Sequence, residues 1–99
     1  MMFEFIRKLL GSKGDIEQSI KEGALILDVR SKKEFEAGHI NGSRNIPLPI
    51  LVNSQKEIME MNCLVVTVCA SGSRSALASS ILRKNGIKAF NGGSWVSVK

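Results

Sequence analysis

Cys69 lies between an apolar run of residues and a loop of small residues, a position in which a cysteine sulfur can be reactive. The preceding run, residues 64–68, is rich in β-branched residues and predicts a buried strand. The following residues are small enough for several backbone N–H groups to converge into an anion-binding nest: Ala70, Ser71, Gly72 and Ser73. A predicted helix begins next, and its N-terminus adds a partial positive charge. We therefore expect Cys69 to have a lowered pKa and to act as a thiolate nucleophile.

Arg74 and Ser75 complete the loop with side chains that suit the same chemistry. The planar guanidinium of Arg74 is a permanent cation whose geometry fits oxyanions. Ser75, at the start of the predicted helix, can cap that helix or donate a hydrogen bond to the sulfur. The alternatives are a buried structural thiol at Cys69 and a solvated side chain at Arg74. Because the nest, the cation and the helix end all favour negative charge at one place, the segment predicts a reactive cysteine in an anion-binding loop.

The hydrophobic pattern indicates which elements hold this loop. Strand-type runs alternate with helical patterns, which is typical of an α/β domain with a mainly parallel sheet. The predicted strands are residues 24–29, 44–48, 64–68 and 87–90. The predicted helices are residues 15–22, 31–38, 50–61 and 75–85, and a turn is predicted at residues 91–93. Within the last helix, three apolar residues have core spacing: Leu77, Ile81 and Leu82.

Polar pairs and glycines mark the ends of the predicted helices. Two pairs have the capping-box spacing that satisfies free N–H groups at a helix start: Asp15 with Gln18, and Ser31 with Glu34. Three glycines follow helical patterns as stop signals: Gly23, Gly38 and Gly86.

Asp28, Arg30 and His39 are expected to support the site rather than to react. Asp28 ends the first predicted strand, at the ligand-binding edge of the sheet, where it can accept hydrogen bonds from the reactive loop or pair with a cation. Arg30 is expected to hold an acidic neighbour such as Glu34. His39 lies in a helix-to-strand turn, and an ionised thiolate needs no imidazole base, which favours a structural role. Trp95 is expected to pack against the domain.

Length and composition limit the class of protein. The 99 residues suffice for one domain. Two cysteines and one histidine indicate no metal, no cofactor and no disulfide framework, and they favour a reducing compartment. Cys63 and Cys69 lie at opposite ends of one predicted strand, which at ~3.3 Å per residue places them beyond disulfide reach. The net charge of +5 favours small anions and acidic partners, while the sequence has no nucleic-acid-binding signature.

The N-terminal stretch MMFEFIRKLL is interpreted as a separate segment. Three charged residues interrupt its apolar residues, which argues against a signal peptide, and no stretch is long enough to span a membrane. Its apolar residues recur at helical spacing, so residues 1–13 are predicted to form an amphipathic extension that packs on its own domain or contacts a membrane surface. The domain itself is predicted over residues 14–99. We expect a cytoplasmic protein that is a monomer or a weak dimer.

Several short motifs, in order along the chain, resemble those of single-domain rhodaneses. They are Leu27-Asp28-Val29-Arg30, Glu34-Phe35, Gly38-His39-Ile40 with Gly42, Asn45-Ile46-Pro47, the loop Cys69 to Ser75, and Gly92-Gly93 with Trp95. The resemblance extends from about Asp15 to Trp95. Two departures are Asn41, where many relatives have proline, and the short sequence after Trp95.

The resemblance implies a rhodanese-like fold with a parallel five-stranded sheet flanked by helices on both faces. It also implies sulfurtransferase chemistry, in which Cys69 takes the outer sulfur of thiosulfate or of a persulfide donor and becomes a persulfide. The sulfur then passes to a thiophilic acceptor, which is a thiol, cyanide or a protein thiol. Transfer in two covalent steps of this kind has ping-pong character.

Two other functions stay open. In the first, the protein is a sulfur carrier or binding module that one partner protein loads and another unloads. In the second, it is an enzyme like the phosphatases and arsenate reductases of related fold, whose loops have five residues between cysteine and arginine. Here four residues separate Cys69 from Arg74, and the comparison with these families favours sulfur over a tetrahedral phosphate.

Overall fold

The computed structural model describes residues 13–98, which form one parallel sheet with helices around it. The helices are α1 (Lys13–Lys21), α2 (Lys32–Ala37), α3 (Leu48–Leu51), α4 (Gln55–Glu60), α5 (Ser73–Lys84) and α6 (Trp95–Val98), with a 3-10 turn at Val52–Ser54. The strands are β1 (Leu25–Asp28), β2 (Arg44–Asn45), β3 (Val65–Cys69) and β4 (Ala89–Ser94). They pair in the order β2-β1-β3-β4, and every pair is parallel. The predicted α/β class and parallel sheet are therefore confirmed.

The sheet is covered on both faces, which explains the unbroken apolar runs of its two central strands. Val65 belongs to a buried cluster that includes side chains of α3, α4 and α5. The next residue, Val66, points to the other face and joins a second cluster with side chains of α1 and α6. Because parallel strands end at the same edge, this arrangement places Asp28, the end of β1, beside Val68, which directly precedes Cys69 at the end of β3.

Helix ends follow the predicted signals in most places, Gly38 and Gly86 included, and depart from them in one. Ser31 caps α2, since its Oγ accepts the N–H of Glu34 at 3.2 Å while the Glu34 carboxylate accepts the N–H of Ser31 at 3.1 Å. Gly23 follows α1 with a φ of 97°, in the left-handed region. Both predictions are confirmed. The capping role of Asp15 is wrong, because α1 already includes residues 13–14 and Asp15 lies inside its first turn.

The resemblance implies five strands, whereas residues 13–98 form four. This part of the chain contains only the four runs of strand-type composition that the sequence indicates, so it offers no fifth segment to the sheet. β2 is shorter than predicted because Pro47, which lacks an N–H, leads directly into α3. The predicted N-terminal amphipathic helix lies outside the described residues. No helix within residues 13–98 is long and apolar enough to cross a membrane.

The face that α5 turns towards the sheet agrees with the predicted one at Leu82 and differs from it at Leu77. Ala78 and Leu82 are fully buried, whereas Leu77 is 54% exposed, so its predicted core position is wrong. The helix packs through small side chains, since Ser75 and Ser79 are also buried. This close packing turns the side of the helix that carries Leu77 away from the sheet.

The predicted turn at residues 91–93 is wrong, because these residues continue β4. The strand keeps its pairing with β3 through a shift of register between Thr67 and Val68. A Cβ at Gly92 would lie 2.7 Å from Cγ1 of Val66 and 2.9 Å from the Thr67 carbonyl oxygen. Glycine is therefore required here for a close approach of two strands, not for a turn.

A Gly92→Ala variant is expected to lose about 1–3 kcal/mol of unfolding free energy, because the added methyl group overpacks a core with no space for it. Urea denaturation of the two proteins measures the difference. Gly14→Ala is the matched control, since a Cβ there has nothing within 4 Å and alanine suits the helix. Equal unfolding midpoints for Gly92→Ala and the native protein would contradict the close approach.

Candidate active site

Cys69 is the last residue of β3, and its side chain is fully buried at the C-terminal edge of the sheet. The loop after it turns back over the sulfur, and Gly72 adopts a φ of 107° that favours glycine. The N–H groups of Gly72 and Ser75 donate to Sγ at 2.9 and 3.4 Å. The Ser75 hydroxyl oxygen lies 3.3 Å from Sγ. Three polar groups therefore converge on one sulfur atom.

These contacts determine the ionisation of Cys69. Burial raises the pKa of the thiol, but the hydrogen bonds at the sulfur together outweigh it. The Ser75 hydroxyl lowers the pKa most among them, followed by the backbone N–H groups of Ser75, Gly72 and Ser71. The pKa of Cys69 is lowered from its ordinary value, so a larger share of the cysteine is thiolate at neutral pH.

Asn91 on β4 holds the Ser75 hydroxyl, a role that sequence reasoning missed. Its Oδ1 lies 2.6 Å from Ser75 Oγ and accepts the N–H of Gly93 at 2.9 Å, while its Nδ2 donates to the Gly72 carbonyl at 3.2 Å. The Ser75 hydroxyl has one proton. It can donate this proton to Asn91 while Cys69 is a thiol, and to the sulfur once Cys69 is a thiolate. Asn91 therefore links β4 to the reactive loop and keeps the hydroxyl beside the sulfur.

A Ser75→Ala variant is expected to have a higher Cys69 pKa, because the hydroxyl that stabilises the thiolate is gone. Alkylation by iodoacetamide should slow at neutral pH by about tenfold, since a hydrogen bond to a charged group contributes about 1.5 kcal/mol. The pH midpoint of alkylation should rise, and the rates should converge at high pH. Ser79→Ala is the control, because Ser79 is also buried on α5 but donates to the Ala76 carbonyl. An unchanged midpoint in Ser75→Ala would contradict this role of the hydroxyl.

Arg74, in the first turn of α5, forms an ion pair with a carboxylate of α2. Its Nη1 and Nη2 donate to Oε1 and Oε2 of Glu34 at 2.7 and 3.0 Å. The Arg74 guanidinium, followed by the Ser31 backbone N–H, lowers the pKa of Glu34 to about 2, and Glu34 raises the pKa of Arg74. Sequence reasoning assigned Glu34 to Arg30 and missed its pairing with Arg74. No pattern along the chain relates these residues, which are forty positions apart.

Arg30 pairs with Asp28, so the predicted pairing with Glu34 is wrong. Nε and Nη2 of Arg30 donate to Oδ1 and Oδ2 of Asp28 at 2.9 and 2.8 Å, and Nη2 also donates to the Gly38 carbonyl at 2.7 Å. The guanidinium carbon lies 4.6 Å from the centre of the Trp95 ring. Asp28 is fully buried and Arg30 is 4% exposed. The Asp28 carboxylate is fully buried, so leaving it without a cation would cost more free energy than leaving the partly exposed Glu34 carboxylate unpaired.

His39 and Cys63 take no part in the contacts at the Cys69 sulfur that the structure describes. The exposed ring of His39 stacks on Phe35, and its Nδ1 lies 2.7 Å from the Phe35 carbonyl oxygen. Because a carbonyl oxygen only accepts, this nitrogen carries the proton. Cys63 is a free thiol that precedes β3, at the end of the strand opposite Cys69.

Comparison with known proteins identifies the family. Residues 12–96 match the family of rhodanese-like domains. The chain belongs to this family. It is 46% identical over 63 residues to YqhL of Bacillus subtilis, covering 64% of this chain and 49% of YqhL. It is 35% identical over 75 residues to a tRNA sulfurtransferase of Thermoplasma acidophilum, covering 76% of this chain and 15% of that protein. The rhodanese-like domain thus spans about half or less of these curated relatives.

A solved structure of a rhodanese with anions from Escherichia coli has a similar fold. It matches with a TM-score of 0.66 at 26% identity, over 76% of this chain and 91% of that one. The family resemblance of the sequence motifs is therefore confirmed, and so is the rhodanese-like fold. In this rhodanese-like domain, the geometry at Cys69 can stabilise a thiolate and other anionic forms of sulfur.

Proposed function

We propose that this rhodanese-like domain is a sulfurtransferase that carries sulfur as a persulfide of Cys69. Sulfur transfer in general is the activity that the family and the name of the Thermoplasma relative support. The observation that carries the proposal is the convergence of Gly72 and Ser75 on the buried Cys69 sulfur. Such groups stabilise a thiolate, and a persulfide formed on it is an anion with the same requirement. Each cycle begins and ends with a reduced Cys69, which suits a reducing compartment such as the cytoplasm.

The reaction proceeds in two displacement steps at sulfur. The Cys69 thiolate attacks the outer sulfur of thiosulfate, a new S–S bond forms, and the bond to sulfite breaks as sulfite leaves with the electron pair. In the second step a thiolate, cyanide or a protein thiolate attacks the outer sulfur of the persulfide. The Cys69 thiolate then leaves with the electron pair and is ready for the next donor. The Ser75 hydroxyl donates to the sulfur at the start and end of this cycle.

Loading of the reduced protein with thiosulfate tests the proposal. Intact mass should increase by one sulfur atom, cyanide should remove it, and peptide mapping should place it on Cys69. Cys63→Ser is the matched control, because it removes the other cysteine and should load in the same way. If neither thiosulfate nor a persulfide donor adds sulfur to the native protein, the proposed function is wrong.

A sulfur carrier is the second candidate, because the chain is also 37% identical over 76 residues to YrkF of Bacillus subtilis, whose name describes a putative sulfur carrier protein. Steady-state assays with thiosulfate and cyanide separate the two functions. Many turnovers indicate an enzyme, whereas a single loaded sulfur that leaves only with a protein thiol acceptor indicates a carrier.

A further inference from the structure

Both arginines near the reactive edge are neutralised by carboxylates. Arg74 forms a two-pronged ion pair with Glu34, and Arg30 forms one with the buried Asp28. Neither pair carries net charge. Attraction of an anion to Cys69 therefore depends on backbone N–H groups and the Ser75 hydroxyl more than on an unpaired arginine.

Glu34 is held in place by contacts on both sides. Besides Arg74, its carboxylate accepts the N–H and the hydroxyl of Ser31, each at 3.1 Å, as part of the α2 capping box. Its pKa of about 2 keeps it ionised throughout the neutral range. A dianion that approaches the two Nη groups of Arg74 must displace this carboxylate or bind beside it. Either route is opposed by like-charge repulsion.

We propose that Glu34 determines donor specificity, disfavouring dianionic donors such as thiosulfate relative to persulfides of lower charge. The inference rests on the proposed function and concerns its first step. Cysteine persulfide delivers the same outer sulfur to the Cys69 thiolate as its S–S bond breaks, and cysteine thiolate leaves with the electron pair. It brings one net negative charge where thiosulfate brings two. The two donors transfer the same atom but differ in leaving group. The change that a substitution of Glu34 causes in each donor's rate therefore reports on the charge beside Arg74, and the ratio of the two rates alone does not.

The experiment compares Glu34→Gln with Glu57→Gln, both in a Cys63→Ser background so that Cys69 is the reacting thiol. Glutamine can keep the capping box of α2 while it removes the charge. Glu57 is the matched control, because it forms an exposed ion pair with Arg44 at 3.1 Å on another part of the surface. Intact mass measured over time gives the loading rate from thiosulfate and from cysteine persulfide.

Glu34→Gln should load from thiosulfate about fivefold faster, the factor that corresponds to about 1 kcal/mol for a partly exposed charge. The rate with cysteine persulfide should change less than the rate with thiosulfate, and Glu57→Gln should match its parent with both donors. The gain should shrink at high ionic strength. An unchanged or slower thiosulfate rate, or an equal gain with both donors, would overturn the proposal.

A second readout separates this proposal from the sulfurtransferase function. The ratio of Cys69 alkylation rates by anionic iodoacetate and neutral iodoacetamide measures charge discrimination without any sulfur transfer. Glu34→Gln should raise this ratio. If it does and no donor loads the protein, the electrostatic role of Glu34 stands while the proposed function fails. If the ratio stays the same, Glu34 does not control the entry of anions.

Discussion

A Cys69→Ser variant is expected to gain no sulfur from thiosulfate or from persulfide donors, with a loading rate reduced by at least about 10³-fold. The hydrogen bonds that lower the pKa of a thiol cannot bring a serine hydroxyl to ionisation at neutral pH. The fold should persist, because a serine Oγ can accept the N–H groups of Gly72 and Ser75 that Sγ accepts. Intact mass after incubation with each donor measures loading, and circular dichroism with urea denaturation measures the fold.

The two cysteines make this experiment decisive. Cys63→Ser should load and discharge like the native protein, since Cys63 lies at the opposite end of β3 and makes none of the contacts described at the Cys69 sulfur. The reverse pattern, loading in Cys69→Ser but not in Cys63→Ser, would identify Cys63 as the nucleophile and contradict the proposed role of Cys69. Loss of loading in both variants with an intact fold would contradict the independence of the two thiols.

The parts of the site that the sequence predicts are those that short-range geometry determines. A buried strand followed by small residues and a helix start places Cys69 among backbone N–H groups. All of these groups belong to the same short segment as the cysteine. The capping box of Ser31 and Glu34 likewise depends on a spacing of three residues. Such contacts join residues no more than six positions apart, so residue type and spacing suffice to predict them.

The parts that it did not predict depend on contacts between distant segments. Glu34 and Arg74 meet because α2 and the reactive loop lie at the same edge of the sheet, and Asn91 reaches Ser75 from the neighbouring strand. Gly92 looked like part of a turn because glycine is typical of turns, yet here it allows β4 to approach β3. A sequence pattern gives the type of each residue but not which distant residue will lie against it. The roles of Glu34 and Gly92 accordingly failed as predictions. Arg30 was paired wrongly although Asp28 is only two residues away, because spacing does not show which carboxylate is fully buried.

An Arg30→Met variant is expected to lose about 3–5 kcal/mol of unfolding free energy, because it leaves the Asp28 carboxylate buried without its cation. The guanidinium also holds the Gly38 carbonyl and lies against the Trp95 ring, so the loss includes contacts to two further segments. A domain of this size typically has a total stability of about 5–15 kcal/mol, so this loss is about a fifth of the stability or more. Urea denaturation measures the change.

A second substitution distinguishes the buried charge from lost packing. Adding Asp28→Asn to Arg30→Met removes the uncompensated carboxylate and should recover part of the stability, since replacing both members of a buried pair costs less than breaking it. Arg44→Met provides the control for loss of an arginine, because its ion pair with Glu57 is half-exposed and should contribute less than about 1 kcal/mol. If the double variant were no more stable than Arg30→Met, the loss would come from the contacts to Gly38 and Trp95 rather than from the stranded charge. In either case the substitution of Arg30 would lower the stability of the domain without removing a contact to the Cys69 sulfur. The Cys69 pKa of the folded protein should therefore change far less than it does in Ser75→Ala.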